Sequence, residues 1–369
     1  MKHLHNEEDW RVLKKRMVDG DQNRITISFY QYAHLRNPAL FRDYLFIHWS
    51  KMGVQGRIYV ASEGINAQLS VPKENYEVFR DHLYSISFLD GIRLNLAIDD
   101  NGKSFYKLVI KVKDKILTDG LNDTSFDVTN HGVHLSAKAF NEITEKPDTI
   151  LIDMRNHYEH EVGFFKGAIT PDVDTFRESL PYIHENLKGL EDRNIVMYCT
   201  GGIRCEKASA WLKHEGFTKV HQLEGGIIEY ARQVSNENLE NKFIGKNFVF
   251  DERLGERISN EIVARCHQCG DPCDSHTNCA NNGCHLLFIQ CDRCREKNQA
   301  CCSPRCTDLL LEPEEIQKAK RLGINNGHMV FKKGRSPYLG YKTLHNPIEK
   351  ALYQGKPQLS TAEKGKTTD

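Results

Sequence analysis

No run of 18 or more apolar residues occurs in the 369-residue chain, so no membrane-spanning helix can be read from it. The opening stretch, MKHLHNEEDWRVLKKRM, lacks the apolar core of a secretory signal and reads as a short polar helix or arm. Both absences lead to the expectation of a cytoplasmic protein with no membrane partner. Net charge is absent too: 50 Lys and Arg balance 50 Asp and Glu, which argues against a uniformly basic nucleic-acid binder. No P-loop, flavin motif or iron-binding facial triad can be picked out. Cysteine is missing from the first 198 residues, which is not the spread of a secreted disulfide framework.

What cancels globally is segregated locally. Residues 103–117 hold Lys103, Lys107, Lys111, Lys113 and Lys115 against Asp114 alone, a balance of +4. Residues 318–342 hold seven basic residues and no acidic ones. Patches of this kind on a neutral protein can bind a polyanion.

The length suggests two or three domains. Residues 1–105 are expected to form the first. ITISFYQY is β-branched and aromatic, as a strand should be, and Pro38 then opens a helical stretch that ends at Gly53. GRIYVASEGINAQLSV reads as two strands broken at Glu63-Gly64, followed by a helix over about 73–85 and a closing strand IRLNLAID. The order β-α-β-β-α-β is the ferredoxin-like, or acylphosphatase-like, split unit. Residues 106–128 are expected to be a basic linker strand, with FYKLVIKVKDKIL placing Lys111, Lys113 and Lys115 on one face. Such a face suits either RNA contact or a solvated edge strand guarded by lysines.

Residues 129–240 change to strand–helix alternation. TILIDM, NIVMYC and KVHQLEG are buried-strand runs, and the alternation favours an α/β domain with a parallel sheet. Ligands bind beyond the carboxyl ends of such strands, where NIVMYC places Cys199. Thr200, Gly201 and Gly202 can fold back so that amides point at the sulfur, and a helix starts at about Ile203. Arg204 adds a fixed positive charge. Together these features lower a thiol pKa and make Cys199 a candidate nucleophile, with Arg204 beside it. Cys205 either resolves an oxidised or persulfidic Cys199 or packs under the loop, and packing is the favoured reading.

The other ten cysteines crowd into residues 266–306, within a cysteine-rich module expected over 241–312. Cys266/Cys269 and Cys291/Cys294 are C-x-x-C pairs, Cys279/Cys284 form a looser pair, and Cys301, Cys302 and Cys306 form a third group. Paired thiolates at this spacing suit structural zinc, with one or two ions. One arrangement joins 266/269 with 291/294 and 279/284 with 302/306, although spacing alone leaves the pairing open. Cys273, His267, His276 and His285 are spare donors. The tail, 313–369, starts as a helix and then mixes basic residues with Phe331, Tyr338 and Tyr341. Packing against the body is the favoured role for these rings, stacking on bases the other. Disorder is expected from about 355.

The loop CTGGIRC, with its C-x-x-x-x-R spacing between strand and helix, resembles the active loop of the rhodanese superfamily. LIDMRNHYEHEVGFFKGAI is similar to the rhodanese segment that carries Asp153, Arg155, Glu159 and Gly163, and LEGGIIEYA to the segment that closes that domain. The resemblance implies a persulfide-bearing role for Cys199, and a loop one residue shorter than that of the related dual-specificity phosphatases. Taken together with CHQCGDPCDSHTNCANNGCHLLFIQCDRC and the preceding FDERLGERI, residues 10–310 resemble the rhodanese-type tRNA uridine hydroxylase family. That resemblance implies an oxidoreductase that hydroxylates carbon 5 of the wobble uridine of tRNA, using molecular oxygen as cosubstrate and an unidentified electron donor. Lys107, Lys111, Lys113 and Lys115 are then the first candidates for RNA contact. The competing readings are a sulfurtransferase that passes persulfide sulfur from Cys199, and a non-enzymatic binding module.

Overall fold

In the computed structural model, which describes residues 4, 8–20, 23–123, 125–322, 333–336 and 339–341, the chain divides into two units. One comprises residues 1–181 with 189–264, and the other 182–188 with 265–369. Phe331, Tyr338 and the segment after 355 lie outside the described residues.

The first unit begins with helix α1 (Trp10–Asp19), whose Asp9 cap accepts from the Arg11 amide at 2.8 Å. Strand β1 (Arg24–Tyr32) leads to α2 (Pro38–Lys51), where Asn37 caps the Leu40 amide and proline occupies the first turn. Strands β2 (Gln55–Ala61) and β3 (Gly64–Pro72) form a hairpin, and α3 (Tyr76–Tyr84) precedes β4 (Asn95–Leu96). The sheet order β4-β1-β3-β2 is the ferredoxin-like arrangement, and β5 (Leu108–Val112) adds a fifth edge strand parallel to β2. Phe29, Trp49, Ile58, Leu69 and Phe79 fill its core.

Two elements differ from their sequence readings. The closing strand IRLNLAID contracts to two paired residues, because Asp100 reaches back and accepts from the Thr26 amide at 2.6 Å. The side chain thereby takes the place of further strand pairing. The lysine-rich segment is part of the N-terminal sheet rather than a linker strand, and it does not align its three lysines. Lys111 and Lys113 are exposed, whereas the Lys115 ammonium lies 2.6 Å from both Asp119 Oδ1 and the Leu121 carbonyl. The strand stops at Val112, and the Ile116 amide then donates to Glu63 at 2.8 Å.

The α/β domain follows with β6 (Val133–Leu135), α4 (Ala137–Thr144), β7 (Thr149–Asp153), α5 (His157–His160), β8 (Gly163–Phe165), α6 (Phe176–Leu187), β9 (Asn194–Tyr198), α7 (Ile203–His214), β10 (Val220–Leu223) and α8 (Gly226–Glu237). Its four-stranded sheet has the order β6-β10-β9-β7 and is parallel throughout. Phe140, Phe165, Tyr198, Tyr230 and Phe243 stack edge to face in its core. Strand β11 (Phe243–Asn247) pairs antiparallel with β8 and also with the short β12 (Glu256–Arg257). Residues 241–264, expected in the cysteine-rich module, therefore belong to this unit.

The two domains of this first unit are joined by buried charge. Lys207 on α7 is 1% exposed, with its ammonium 2.6 Å from Asp119 and 2.9 Å from Glu63. The FDERLGERI segment adds a second tie. Arg253 pairs with Asp251 and Glu256 and donates to the Asp99 carbonyl at 3.0 Å, while Glu256 accepts from the Ile98 amide.

The second unit contains the short hairpin β13 (His276–Asn278) and β14 (Leu287–Ile289), then α9 (Asp292–Lys297), α10 (Pro304–Leu311) and α11 (Glu314–Arg321). Leu286, Phe288 and Leu339 pack with Cys279, Cys301, Cys302 and Cys306. Tyr341 lies over Gly270, where an added Cβ would come within 2.4 Å of its ring.

Removing one member of a buried ion pair leaves its partner's charge uncompensated, at a cost of about 3–5 kcal/mol. Lys207→Ala should therefore lower the unfolding midpoint of the first unit by several degrees, while a surface control in the same unit, Lys138→Ala, leaves it unchanged. Differential scanning calorimetry checks both.

Candidate active site

Strand β9 ends at Tyr198 and α7 starts at Ile203, so Cys199 to Gly202 form the connecting loop. Gly202 adopts φ +102°, which the tight reversal requires. Its amide donates to Cys199 Sγ at 3.2 Å. The loop is also held from behind: the amides of Ile227 and Ile228 donate to the carbonyls of Cys199 and Thr200 at 3.0 and 3.3 Å. Gly226 makes this approach possible, since a Cβ there would lie 2.5 Å from the Cys199 carbonyl oxygen. The LEGGII stretch is thus the backbone clamp of the thiol loop.

Cys199 is fully buried. Burial alone would raise its pKa, but the Cys205 thiol, the Arg204 guanidinium and the amides of Cys205 and Arg204 outweigh it and bring the group down to about 5. Cys199 is therefore a thiolate at neutral pH. Cys205 is driven the other way, by burial and by the adjacent Cys199 thiolate, and keeps its proton. Arg204 is not a free charge. It forms a bidentate pair with Glu159 at 2.6 and 2.8 Å, and its guanidinium lies 5.8 Å from the centre of the Phe250 ring.

Asp153, at the end of β7, and Arg155 are fully buried. They pair with each other at 2.6 Å, and Arg155 also donates to the Gly163 carbonyl at 2.7 Å. Burial would raise the Asp153 carboxyl, but Arg155 holds it below the usual range.

Several residues at the loop escape sequence reasoning because they come from the other domain. Tyr30 on β1 lies against Gly202, with its hydroxyl 2.9 Å from where a Cβ would be. Asn95 Nδ2 donates to the Gly201 carbonyl at 3.3 Å, and the Tyr32 hydroxyl donates to the Ile203 carbonyl at 3.4 Å. The ferredoxin-like sheet thus roofs the thiol loop. No local sequence signal marks these residues, since nothing in ITISFYQY separates a core tyrosine from one facing another domain. Glu159 was visible in its motif, but its pairing with Arg204 was not.

In the second unit two sets of four cysteines converge, Cys266/Cys269/Cys291/Cys294 and Cys279/Cys284/Cys302/Cys306, each with all sulfurs within 4.8 Å of one another. Cys269 and Cys291 sulfurs are 3.6 Å apart, Cys284 and Cys302 3.7 Å, and Cys302 and Cys306 3.8 Å. A tetrahedron of thiolates around zinc has edges of about 3.8 Å, given a Zn–S distance near 2.3 Å. Either set can hold a metal ion of that kind. Amides complete the surroundings: the Cys291 N–H donates to Cys266 Sγ and Asn281 Nδ2 to Cys306 Sγ, both at 3.4 Å. Cys273 and Cys301 stand outside both sets.

Three domain families match the chain: the UPF0176 acylphosphatase like domain over residues 24–116, the rhodanese-like domain over 136–233 and the rhodanase C-terminal domain over 244–307. The chain is 53% identical over 333 residues to a protein of Photorhabdus laumondii named tRNA uridine(34) hydroxylase, covering 90% of this chain and 95% of that one. A protein of Salmonella arizonae with the same name is 54% identical over 347 residues, 94% of this chain and 99% of that one. The chain belongs to the tRNA uridine(34) hydroxylase family. For a tRNA uridine(34) hydroxylase family member, the matched rhodanese-like segment is the one that contains the thiolate loop, and the acylphosphatase-like segment supplies its roof.

The ultraviolet absorbance difference between this protein and its Cys199→Ser variant should appear as pH rises through about 5. Below that pH Cys199 is protonated and the two proteins match. Cys205→Ala should move the midpoint upward by removing a hydrogen bond to the thiolate. A midpoint at the ordinary thiol value near 8.5 in the parent protein would contradict the assignment.

Proposed function

We propose that this protein hydroxylates carbon 5 of the wobble uridine of tRNA, giving 5-hydroxyuridine, with Cys199 as the reacting thiolate and dioxygen as cosubstrate. The observation that carries this reading is a fully buried cysteine held as a thiolate in a chain of this family. A thiolate can add to carbon 6 of uracil, which makes carbon 5 nucleophilic toward an oxidant. One oxygen atom then enters at carbon 5 and the other leaves as water, with two electrons from a reductant. Loss of the carbon 5 proton and expulsion of the thiolate restore the ring.

The residues around the loop have distinct parts in this scheme. The Gly202 amide stabilises the departing sulfur, and Arg204, fixed by Glu159, keeps its charge aligned with it. Asp153 and Arg155 support the loop, as do Thr200, Gly201, Ile203 and Cys205 around it. Lys111 and Lys113, exposed on the edge of the N-terminal sheet, and the half-buried Lys107 offer contacts to the tRNA backbone. Lys115, engaged with Asp119, contributes less. Among the described residues no helix is long and apolar enough to cross a membrane. A tRNA substrate supports a cytoplasmic reading. Each four-cysteine set is assigned one zinc ion, which would pin loops too short of apolar side chains to hold themselves.

The same thiolate could instead carry a persulfide to an acceptor, so the decisive test separates the two chemistries. In cells lacking the protein, mass analysis of tRNA nucleosides should show 5-hydroxyuridine lost, restored by the parent gene and not by Cys199→Ala. Unchanged 5-hydroxyuridine with depleted thiolated nucleosides would favour sulfur transfer. Elemental analysis of protein purified under reducing conditions should find two zinc ions per chain, and one after Cys269→Ser/Cys294→Ser. Metal-free folded protein would overturn the zinc assignment.

A further inference from the structure

One further cluster of metal-ligating side chains exists among the described residues, in the first unit and close to the thiol loop. His131, His134 and Glu206 bring two imidazoles and a carboxylate together, with ligand atoms all within 4.8 Å of one another. His131 Nε2 is 3.3 Å from Glu206 Oε1, and His134 Nε2 is 2.9 Å from Oε2. The two rings stack at 4.7 Å, which turns both Nε2 atoms toward the same carboxylate. Only Glu206 could be placed near the loop from sequence. The histidines come from β6 and the residues before it, and the parallel pairing of β6 with β10 delivers them to α7.

The surroundings are those of an oriented ligand set. His131 Nδ1 is 2.9 Å from the Gly132 carbonyl oxygen, a bond that fixes the proton on Nδ1 and leaves the Nε2 lone pair facing Glu206. Glu206 is held in place by Gln222 Nε2 at 2.9 Å and the Tyr30 hydroxyl at 3.3 Å, and its side chain is only 13% exposed. With Nδ1 donating to Gly132, His131 offers Nε2 as a metal ligand 3.3 Å from Glu206 Oε1.

We infer that His131, His134 and Glu206 form a binding site for a divalent first-row transition cation. Two imidazoles and one carboxylate select this class over calcium or magnesium and leave further coordination positions open for small ligands. The site adjoins the reaction loop. Glu206 N–H donates to the Gly202 carbonyl at 3.0 Å, and Tyr30 links the Glu206 carboxylate to the face of Gly202. A role for the bound ion in handling dioxygen rests on the hydroxylase reading. The existence of the site does not.

The test uses the full chain with its cysteine clusters loaded with zinc, titrated anaerobically with Fe(II) and then exposed to nitric oxide. We expect one Fe(II) per chain and the high-spin iron–nitrosyl resonance of nitrogen and oxygen ligation. Cys199→Ala should retain both. His131→Asn/His134→Asn, whose side chains are partly exposed and whose fold is checked by circular dichroism, should weaken Fe(II) binding at least tenfold and abolish the resonance. Glu206→Gln should do the same. Failure to retain iron would overturn the site and indicate a histidinium–glutamate pair. Equal retention by the double variant, or the low-spin dinitrosyl signal of thiolate-bound iron, would overturn it as well. None of these outcomes depends on hydroxylation, which the nucleoside analysis reads separately.

Discussion

The bidentate pair between Arg204 and Glu159 is the constraint on which the site depends. Both groups are almost wholly removed from water, so neither tolerates the loss of the other. The pair joins the first turn of α7 to α5, and Glu159 Oε1 also accepts the Asn156 amide at 3.1 Å. Arg204 is thereby fixed in direction, and its charge reaches Cys199 without swinging into solvent. Asp153 and Arg155 repeat the device, and Arg155 links the end of β7 to the Gly163 carbonyl on β8. The thiolate thus sits among buried ion pairs and is stabilised by the Cys205 thiol, the Arg204 charge and the amides of Cys205 and Arg204.

The second organising feature is the meeting of the two domains of the first unit. Lys207 lies on α7 one turn beyond Arg204, so the helix that aims its N-terminus at the sulfur is also the helix pinned to the N-terminal domain through Asp119 and Glu63. Tyr30, Tyr32 and Asn95 then settle onto the loop from β1 and β4. Each domain is incomplete as a site without the other. A rhodanese-like loop carries the sulfur, and side chains of the ferredoxin-like sheet lie against that loop.

Much of the fold could be read from residue patterns, because each strand and helix carries its own periodicity and caps. Pro38 and Asn37 mark α2, and the buried runs TILID and NIVMY mark the parallel strands. The candidate thiol was equally legible, since Gly201, Gly202 and Arg204 crowd around Cys199 in sequence. What escaped was non-local. Asp100 truncates the fourth strand through a contact with Thr26, 74 residues away, and the Ile116 amide that follows β5 is taken up by Glu63, 53 residues earlier. The cysteine sets illustrate both sides: spacing suggested pairs, but only folding brings 266/269 to 291/294 and 279/284 to 302/306. His131 and His134 gave no signal at all, because their partner carboxylate lies more than seventy residues downstream.

Full burial of Cys199 has a consequence for the survival of the protein. A thiolate with so low a pKa, left open to solvent in a cell that supplies oxygen and peroxide, climbs the oxidation ladder from sulfenic acid to irreversible sulfinic and sulfonic acids. In this structure the sulfur of Cys199 has no exposure to solvent, and Tyr30 and Asn95 cover the loop that carries it. Burial thus works against the charge of Cys199, which its hydrogen bonds and Arg204 maintain, while it also lengthens the working life of the sulfur.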